Sequence, residues 1–236
     1  MDPVQLKAFD MFGDLLTERN KRVNLTAIRD EAGIVIKHFY DSLSIVIHVR
    51  ELSDLLSAAA ARRGVVGENR AGIARNGAVG DGGAGPRKKL ADVGAGAGFP
   101  GIPLKILFGD ALDVTLIESV GKKVRFMDEV IAALRLDGCG AVHIRAEDAA
   151  RAGMGGLFDF ATARALAPLP KTLEYCLPLI KTGGTLIAMK GRRDTADKEI
   201  AQSADRLTAL GGKHLRTVGF AFPGSAERTI LVIEKT

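Results

Sequence analysis

From residue 89 onward, short apolar runs alternate with segments whose apolar residues recur at helical spacing. The strand-like runs are Lys89–Val93, Val114–Glu118, Ala141–Ile144, Phe158–Thr162 and Thr185–Met189. The helical segments are Pro103–Leu107, Lys122–Leu136, Pro168–Ile180 and Thr195–Leu210, and we expect the second of them to stop at Gly138. This alternation predicts an α/β fold with a mostly parallel sheet that is covered by helices on both faces.

The end of the chain departs from this alternation. Leu215–Phe222 and Arg228–Glu234 are strand-like runs joined by Pro223, Gly224 and Ser225. So short a connection fits only a hairpin, which makes the last two strands antiparallel. A parallel sheet that finishes in this way differs from a symmetric dinucleotide-binding sheet of six parallel strands.

The first part of the chain has a different character. Residues 1–55 are expected to be helical, because apolar side chains such as Leu6, Phe9 and Leu16 share one helix face. Residues 64–86 hold eight glycines and no aromatic residue, which is typical of a flexible insertion. We therefore divide the chain into an N-terminal helical region (1–55), a Gly/Arg-rich insertion (56–88) and a main domain (89–236).

Composition limits the class of protein. With 236 residues, 47% of them hydrophobic and 26% charged, the chain is expected to fold and has no apolar stretch of the roughly 18 residues that span a membrane. Cys139 and Cys176 are too few for a disulfide framework, so we expect a protein of the reducing cytoplasm. Separately, we expect the protein to be a monomer. The four histidines and two cysteines lack ligand spacing, and we expect no metal site.

The charge balance suits a polyanionic partner. Lys and Arg number 33 against 28 Asp and Glu, a formal net charge of +5. Aromatic residues make up only 5% of the chain and Trp is absent, which argues against base-stacking platforms for single strands. Any contact with nucleic acid is therefore expected to run mainly through phosphates.

A glycine-rich loop follows the first strand of the main domain. Leu90–Val93 leads into Gly94, Gly96 and Gly98, at every second position. The loop lies at the carboxyl edge of the predicted sheet, where open α/β sheets bind ligands, and glycines let a ligand approach the backbone. Glu118, at the end of the second strand, is placed to accept hydrogen bonds from a ribose diol. Together these residues predict an adenosine pocket.

The loop admits two readings. Residues 96–101 match GxGxxG, the dinucleotide pattern of a NAD-dependent oxidoreductase. Read from Gly94, the pattern is GxGxG, with Phe99 where the dinucleotide fingerprint has its third glycine. Pro100 and Pro103 also remove backbone donors where a pyrophosphate would bind. A ligand without phosphates fits this loop better, and S-adenosylmethionine is such a ligand.

Two further segments lie at the same sheet edge. Residues 145–148, Arg-Ala-Glu-Asp, follow the third strand, where an acid accepts from an adenine amino group or interacts with a helix dipole. Arg164 comes just after the fourth strand, at the mouth of the pocket, and the Asp/Asn-Pro-Pro-aromatic sequence of many amine methyltransferases is absent there. The acceptor is then either an exposed lone pair, such as guanine N7, or a group activated by a base that the sequence does not reveal.

Several separated motifs stand in order along the chain. They are Asn24–Ile28, Lys37–Leu43, Asp92–Pro103, Leu116–Lys123, Arg164-Ala165 and Lys190-Gly191. In this combination the sequence resembles the RsmG or GidB family of small-subunit ribosomal RNA guanine-N7 methyltransferases. The resemblance runs from about Leu6 to Glu234 and is interrupted by the glycine-rich insertion.

The resemblance implies a class I S-adenosylmethionine-dependent methyltransferase fold, a Rossmann-like sheet with a C-terminal antiparallel hairpin and N-terminal helices. It implies S-adenosylmethionine as cofactor and N7 of guanine 527 in 16S rRNA as target. By position, the family's cofactor contacts fall on Gly94, Phe99, Glu118, Ala146, Glu147 and Arg164. We add Gly96 and Gly98 to this set on the ground of backbone geometry.

Basic residues around the predicted cleft are candidates for RNA contact. Our set is Lys37, His38, Arg164, Lys190, Arg192 and Arg193, with Lys123 and Arg228 among a wider group. Lys190-Gly191-Arg192-Arg193 leaves the carboxyl end of the fifth strand, on the rim that carries the glycine loop. Besides a methyltransferase, two alternatives stay open from the sequence: an NAD-dependent oxidoreductase and a non-catalytic ribosome-associated module.

Overall fold

The structure is a computed structural model that describes residues 1–69, 87–222 and 226–236. Its strands are β1 (Lys88–Val93), β2 (Leu112–Glu118), β3 (Cys139–His143), β4 (Phe158–Arg164), β5 (Ile180–Lys190), β6 (Gly212–Phe220) and β7 (Arg228–Lys235). They form one seven-stranded sheet in the order β3-β2-β1-β4-β5-β7-β6. The first five strands pair in parallel, whereas β7 is antiparallel to both β5 and β6. The predicted parallel sheet with a terminal antiparallel pair is confirmed.

Helices precede the sheet and connect its strands. The N-terminal ones are α1 (Pro3–Val23), α2 (Glu31–Ile34), α3 (Asp41–His48) and α4 (Arg50–Asn69). The later ones are α5 (Gly101–Phe108), α6 (Gly121–Leu134), α7 (Ala146–Ala149), α8 (Leu169–Cys176), α9 (Arg193–Gln202) and α10 (Ala204–Ala209). A π-helical turn, Val35–Tyr40, joins α2 to α3. Such wide turns are frequent at functional sites.

Several boundaries differ from the sequence prediction. Helix α4 continues to Asn69, so the first part of the segment 56–88 is helical, while residues 70–86 lie outside the described residues. Helix α6 ends at Leu134 because Arg135 already adopts the left-handed conformation (φ 51°), three residues before Gly138. The hairpin residues 223–225 also lie outside the described residues.

Strand β5 and the helix before it depart from the prediction in a related way. Helix α8 ends at Cys176 rather than at Ile180, because Pro178 cannot donate a hydrogen bond and the chain closes in a short 3₁₀ turn. Strand β5 then begins at Ile180, five residues earlier than expected. An irregularity opposite Phe158 and Phe160 takes up the additional residues between Ile180 and Thr185.

The sheet separates two hydrophobic clusters. Successive residues of one strand belong to opposite clusters, as Leu116 and Ile117 show in β2. One cluster joins the sheet to α5, α6 and the N-terminal helices, and the other joins it to α8 and its neighbours. Both faces are therefore buried, as expected for a parallel sheet.

The N-terminal helices are fixed to the sheet domain by polar and aromatic contacts. The Gln5 side chain donates to the backbone oxygens of Ile106 and Leu107, at 3.2 and 2.8 Å. The ring of Phe12 stacks on Phe99 of the glycine loop, with centroids 5.0 Å apart. This docking places the following segment, which contains the π-helical turn, over the carboxyl edge of the sheet.

Among the helices that the structure describes, none is by itself long and apolar enough to cross a membrane. Glu31–His48 and Arg50–Ala61 pass that test only as a pair, by length and composition, and a bend of 94° separates them.

Candidate active site

The glycine loop turns through three residues with positive φ. Gly94, Gly96 and Gly98 have φ values of 71°, 62° and 97°, which L-residues with a side chain rarely adopt. A Cβ on Gly94 would lie 2.6 Å from Leu166, and one on Gly98 would collide with Ile102. A Cβ on Gly96 would have only the Gly94 oxygen nearby, at 4.0 Å. Gly96 therefore borders open space that a ligand can fill.

Backbone donors at the start of α5 are already engaged. Gly98 and Phe99 donate to the Ala95 oxygen at 2.8 and 2.9 Å, and Ile102 donates to the Gly98 oxygen at 2.8 Å. Pro100, the residue before the helix, has no N–H. A pyrophosphate would find few donors here, which agrees with the reading of the loop as a phosphate-free site.

Asp92 binds the end of the glycine loop, where α5 begins. Its carboxylate, which is fully buried, accepts from Gly101 N–H at 2.8 Å and from the Thr162 hydroxyl at 3.0 Å. Burial raises the pKa of Asp92 to about 6, although these two hydrogen bonds oppose the rise. The carboxylate thus ties β1 to both β4 and the start of α5, a structural role that sequence reasoning did not assign.

Glu118 lies at the end of β2 beside the loop. One carboxylate oxygen accepts from Gly96 N–H and the other from Val120 N–H, both at 2.9 Å. The side chain is buried, and the Lys123 ammonium lies 4.0 Å away. Because each carboxylate oxygen has two acceptor positions, the group is held in place with capacity for further donors.

Two adjoining cavities open at the carboxyl edge of the sheet. The larger, of about 700 Å³, lies between the N-terminal segment and the ends of β1, β4, β5 and β7. The smaller, of about 240 Å³, lies beyond the ends of β2 and β3. Gly94 and Ala165 line both cavities, so the glycine loop forms their common wall.

His38 and Arg164 form a buried cluster on Phe99 in the larger cavity. The His38 ring stacks on Phe99 with centroids 4.4 Å apart, and the Arg164 guanidinium lies 5.2 Å from the same ring. Arg164 Nη2 lies 3.0 Å from His38 Nδ1, and Thr26 Oγ1 lies 2.8 Å from Nε2. Since arginine only donates, Nδ1 is the acceptor and Nε2 carries the proton. Burial and the Arg164 charge lower the pKa of His38 to about 3.

Asp41 connects this cluster to the last strand. Its two carboxylate oxygens accept from Arg164 Nη1 at 3.1 Å and from Arg228 Nε at 2.9 Å. Asp41 is buried, and the two arginines come from β4 and β7, on either side of β5. One carboxylate of the N-terminal segment therefore orients two cations of the sheet edge.

The predicted basic rim divides into two groups. The Lys190 ammonium is mostly buried, lines the larger cavity and binds the Ala167 oxygen at 2.8 Å and Glu199 Oε2 at 2.7 Å. Arg192 and Arg193 lie outside both cavity linings and pair with Asp194 and Asp197 at 3.0 Å. Pairs as exposed as these contribute little to stability, so an incoming phosphate can replace the carboxylates.

Most of the sequence-predicted site residues come together here. The larger cavity is lined by Gly94, Gly96, Phe99, Lys37, His38, Arg164 and Lys190, and the smaller by Gly94, Glu118, Ala146 and Glu147. Gly98 is buried in the turn of the loop and lines neither cavity. Thr26, Asp41 and Glu199 also line the larger cavity, but sequence reasoning did not select them. The Thr26 and Asp41 positions fall within two of the quoted motifs, which was the available signal.

Comparisons with known proteins agree with this architecture. The TYW2 protein of M. jannaschii, solved in complex with AdoMet, is 16% identical and matches with a TM-score of 0.52 over 64% of this chain and 70% of its own. The cyclase SpnF matches with a TM-score of 0.51 at 16% identity, over 63% of this chain and 74% of its own. The sheet order and the site at its carboxyl edge define the S-adenosylmethionine-dependent methyltransferase fold, on which more than one chemistry occurs.

Sequence comparison narrows this class to one family. A family model described as rRNA small subunit methyltransferase G matches residues 83–230. Ribosomal RNA small subunit methyltransferase G of Leuconostoc citreum is 38% identical over 98% of this chain and 83% of its own. The protein of the same name from Acetivibrio thermocellus is 38% identical over 100% of this chain and 82% of its own. The chain belongs to the rRNA small subunit methyltransferase G family. This membership disagrees with the alternative of an NAD-dependent oxidoreductase.

Proposed function

We propose that this protein transfers a methyl group from S-adenosylmethionine to N7 of one guanine in 16S rRNA, the nucleotide at position 527 by family resemblance. An rRNA methyltransferase activity follows from the family to which the chain belongs. S-adenosylmethionine is the cofactor of this class of methyltransferase. The observation that carries the finer proposal is that both ring nitrogens of His38 and both carboxylate oxygens of Asp41 are engaged in the cleft.

The residues present fit S-adenosylmethionine. Gly96 leaves the only space on the described glycine loop that a Cβ could occupy without a contact closer than 4.0 Å. The smaller cavity would hold the adenosine, with Glu118 toward the ribose and Ala146-Glu147 toward the base. Phe99 and Arg164 of the larger cavity would face the methionine end. When bound, this cofactor supplies an electrophilic methyl group.

Neither His38 nor Asp41 of the larger cavity is a suitable general base. His38 has its pKa lowered to about 3 and is hydrogen bonded at both ring nitrogens. Both oxygens of Asp41 are bound by arginines. Guanine N7 carries an exposed lone pair and needs no proton removed before it attacks. What the chain then contributes is proximity and orientation, worth roughly 7–11 kcal/mol of barrier.

The cationic edge of the larger cavity supports an RNA substrate. Lys37, Lys190 and Arg228 line it together with Arg164, and the exposed Arg192 and Arg193 follow on the same rim. Such a surface suits phosphate contacts that position the nucleotide. A ribosomal RNA target also implies that the reaction takes place in the cytoplasm.

The test is transfer of labelled methyl from S-adenosylmethionine to small ribosomal subunits that were isolated from a strain without this gene. We expect label in 16S rRNA alone, and mass mapping should place it on one guanine as the N7-methyl derivative. Label on a ribose or on another ring nitrogen would reject the N7 assignment. Cofactor binding without any transfer to 16S rRNA would favour the non-catalytic module instead.

A further inference from the structure

Two acidic side chains, Asp41 and Glu199, stand among the cations that line the larger cavity in the described part of the chain. A carboxylate repels phosphate, so each must serve another purpose in a site for RNA. Asp41 is engaged at both of its oxygens, because Arg164 and Arg228 each bind one of them. Glu199 differs from Asp41 because only one of its two oxygens is engaged.

Only one oxygen of Glu199 is engaged. Oε2 accepts from Leu169 N–H at 2.7 Å and lies 2.7 Å from the Lys190 ammonium. Within the described residues, Oε1 has no hydrogen-bond partner and is not sealed from solvent. Two contacts hold Oε2 in place, and Glu199 thereby presents its other oxygen, Oε1, as an acceptor with two free lone pairs.

The surroundings of Glu199 place it at the cavity in which the proposed function would hold the target base. It lies on α9 and binds Leu169, the residue that follows the segment 165–168. That segment comes directly after β4 and lines the larger cavity through Ala165, Ala167 and Pro168. Ala165 adopts a left-handed conformation (φ 51°), an unfavourable state for a residue with a Cβ, and it lines both cavities. The acceptor, the sharp turn and the glycine loop thus lie around one cavity.

We propose that Glu199 recognises the target base by accepting hydrogen bonds from N1–H and the 2-amino group of guanine. This inference rests on the proposed function. Guanine presents two adjacent donors on its Watson–Crick edge, whereas adenine presents an acceptor at N1 and has no 2-amino group. A carboxylate held in this position therefore accepts guanine and rejects adenine, which would cover the acceptor without pairing it.

The same contact favours the reaction itself. Attack by N7 places a positive charge on the purine, and this makes N1–H and the 2-amino group stronger donors. A carboxylate bonded to them therefore binds the transition state more tightly than the neutral base. Glu199 would contribute both to selection of guanine and to the rate of transfer, without removing a proton.

The experiment compares Glu199→Gln with the unmodified protein on subunits whose target nucleotide is guanosine or inosine, which lacks the 2-amino group. The unmodified protein should methylate inosine roughly 10-fold more slowly, because one charge-assisted hydrogen bond is lost. Glu199→Gln should lower transfer to guanosine by about 10- to 100-fold. Its preference for guanosine over inosine should fall to within about twofold, since the discriminating acceptor has lost its charge.

Rates are normalised to the fraction of protein that binds S-adenosylmethionine, so that loss of folded protein does not enter the comparison. Glu174→Gln is the control, because Glu174 of α8 pairs with Lys171 and with Arg206 of α10 and lines neither cavity. Equal losses on guanosine and inosine would show that Glu199 only holds Leu169 and Lys190 in place and would overturn the inference. No transfer by the unmodified protein to either substrate would reject the proposed function as well.

Discussion

At the scale of single residues, the open space beside Gly96 allows a substitution whose effect on ligand binding can be measured separately from its effect on stability. Gly96→Ala introduces a Cβ with no close neighbour in the described structure, at a φ of 62°. We expect a loss of about 1 kcal/mol in stability from the left-handed conformation. If a cofactor lies against this backbone, its affinity should fall at least about 10-fold, which calorimetry with S-adenosylmethionine measures.

Gly156→Ala is a matched control for that change. Gly156 has a φ of 63° and no atom within 4 Å of an added Cβ, but it lines neither cavity. Its replacement should lower stability equally and leave cofactor affinity unchanged. Equal cofactor affinity in both variants would remove Gly96 from the binding site.

Asp92 makes stability depend on pH. Its pKa is about 6 in the folded protein and 3.8 in the reference state, so the folded protein binds its proton more tightly. This contribution is fully present below about pH 4 and is lost as the pH rises through about 6. Asp92→Asn, which keeps an acceptor and a polar partner for Gly101 and Thr162, removes the dependence.

The measurement is denaturant unfolding of both proteins across that range. Relative to Asp92→Asn, the unmodified protein should lose about 2 kcal/mol of unfolding free energy between pH 4.5 and 7. A constant difference between the two proteins over this range would show that Asp92 titrates normally in the folded state.

At the scale of elements, the segment after α1 is shaped by one amide side chain. Asn20 is buried, donates to the Thr26 and Ile28 oxygens at 2.9 and 3.2 Å, and accepts from Leu25 N–H and Thr26 N–H at 2.7 and 3.0 Å. All three bonded residues line the larger cavity. The cavity wall on this side therefore depends on a residue that does not itself line it.

Asn20→Ala should lower the unfolding free energy by about 2–4 kcal/mol, because two buried N–H groups and two carbonyls lose their partner. It should also raise the KM for rRNA, since the wall formed by residues 25–28 is released. Asn24→Ala serves as a comparison, because Asn24 is exposed and its side chain accepts only from Arg29, at 3.2 Å. A normal KM in Asn20→Ala would show that this wall does not contact the substrate.

The order of elements was predictable from the sequence, and the contacts between distant elements were not. Apolar periodicity and the glycine loop located the five parallel strands, because those signals are local. Asp41, Arg164 and Arg228 meet only after the sheet has formed, and no local pattern pairs Asp41 with Arg228. Glu199 lacked a signal for the same reason, since its partners Leu169 and Lys190 lie on two other elements.

Boundaries were missed where a residue acted against its usual preference. Arg135 ends α6 in a left-handed conformation that glycine usually adopts, and Ala165 turns the chain after β4 in the same way. Residue preferences favour glycine, here Gly138, for a left-handed conformation at a helix end. The sequence prediction therefore placed the end of α6 too late. Ala165 shows that such an exception occurs at the site itself.

At the scale of the whole molecule, the net charge of +5 suits binding to RNA, but much of the charge near the cleft is locally paired. Arg192→Glu combined with Arg193→Glu should weaken RNA binding and lower the slope of log affinity against log salt by about 1–2, because released counterions scale with phosphate contacts. Cofactor affinity should be unchanged. Filter binding of RNA at several salt concentrations measures the RNA affinity and the slope of its salt dependence.

Arg50→Glu is the corresponding control. Arg50 is highly exposed and pairs with Asp54 one turn away on α4. Its replacement by Glu changes the net charge by the same amount as each of the two rim substitutions. It should lower RNA affinity slightly and leave the salt slope unchanged. An equal effect of all three arginines would indicate that overall charge, and not the rim, governs binding.

The position of β7 has a consequence for synthesis of the chain. This strand is the last in the sequence, yet it lies between β5 and β6 and carries Arg228 to Asp41. In the finished sheet, β6 pairs with β7. A nascent chain that has emerged only as far as β6 therefore lacks the strand with which β6 pairs. The cleft is therefore incomplete until β7 has been synthesised, because a polypeptide that holds every glycine of the loop but lacks β7 also lacks the Arg228 contact to Asp41.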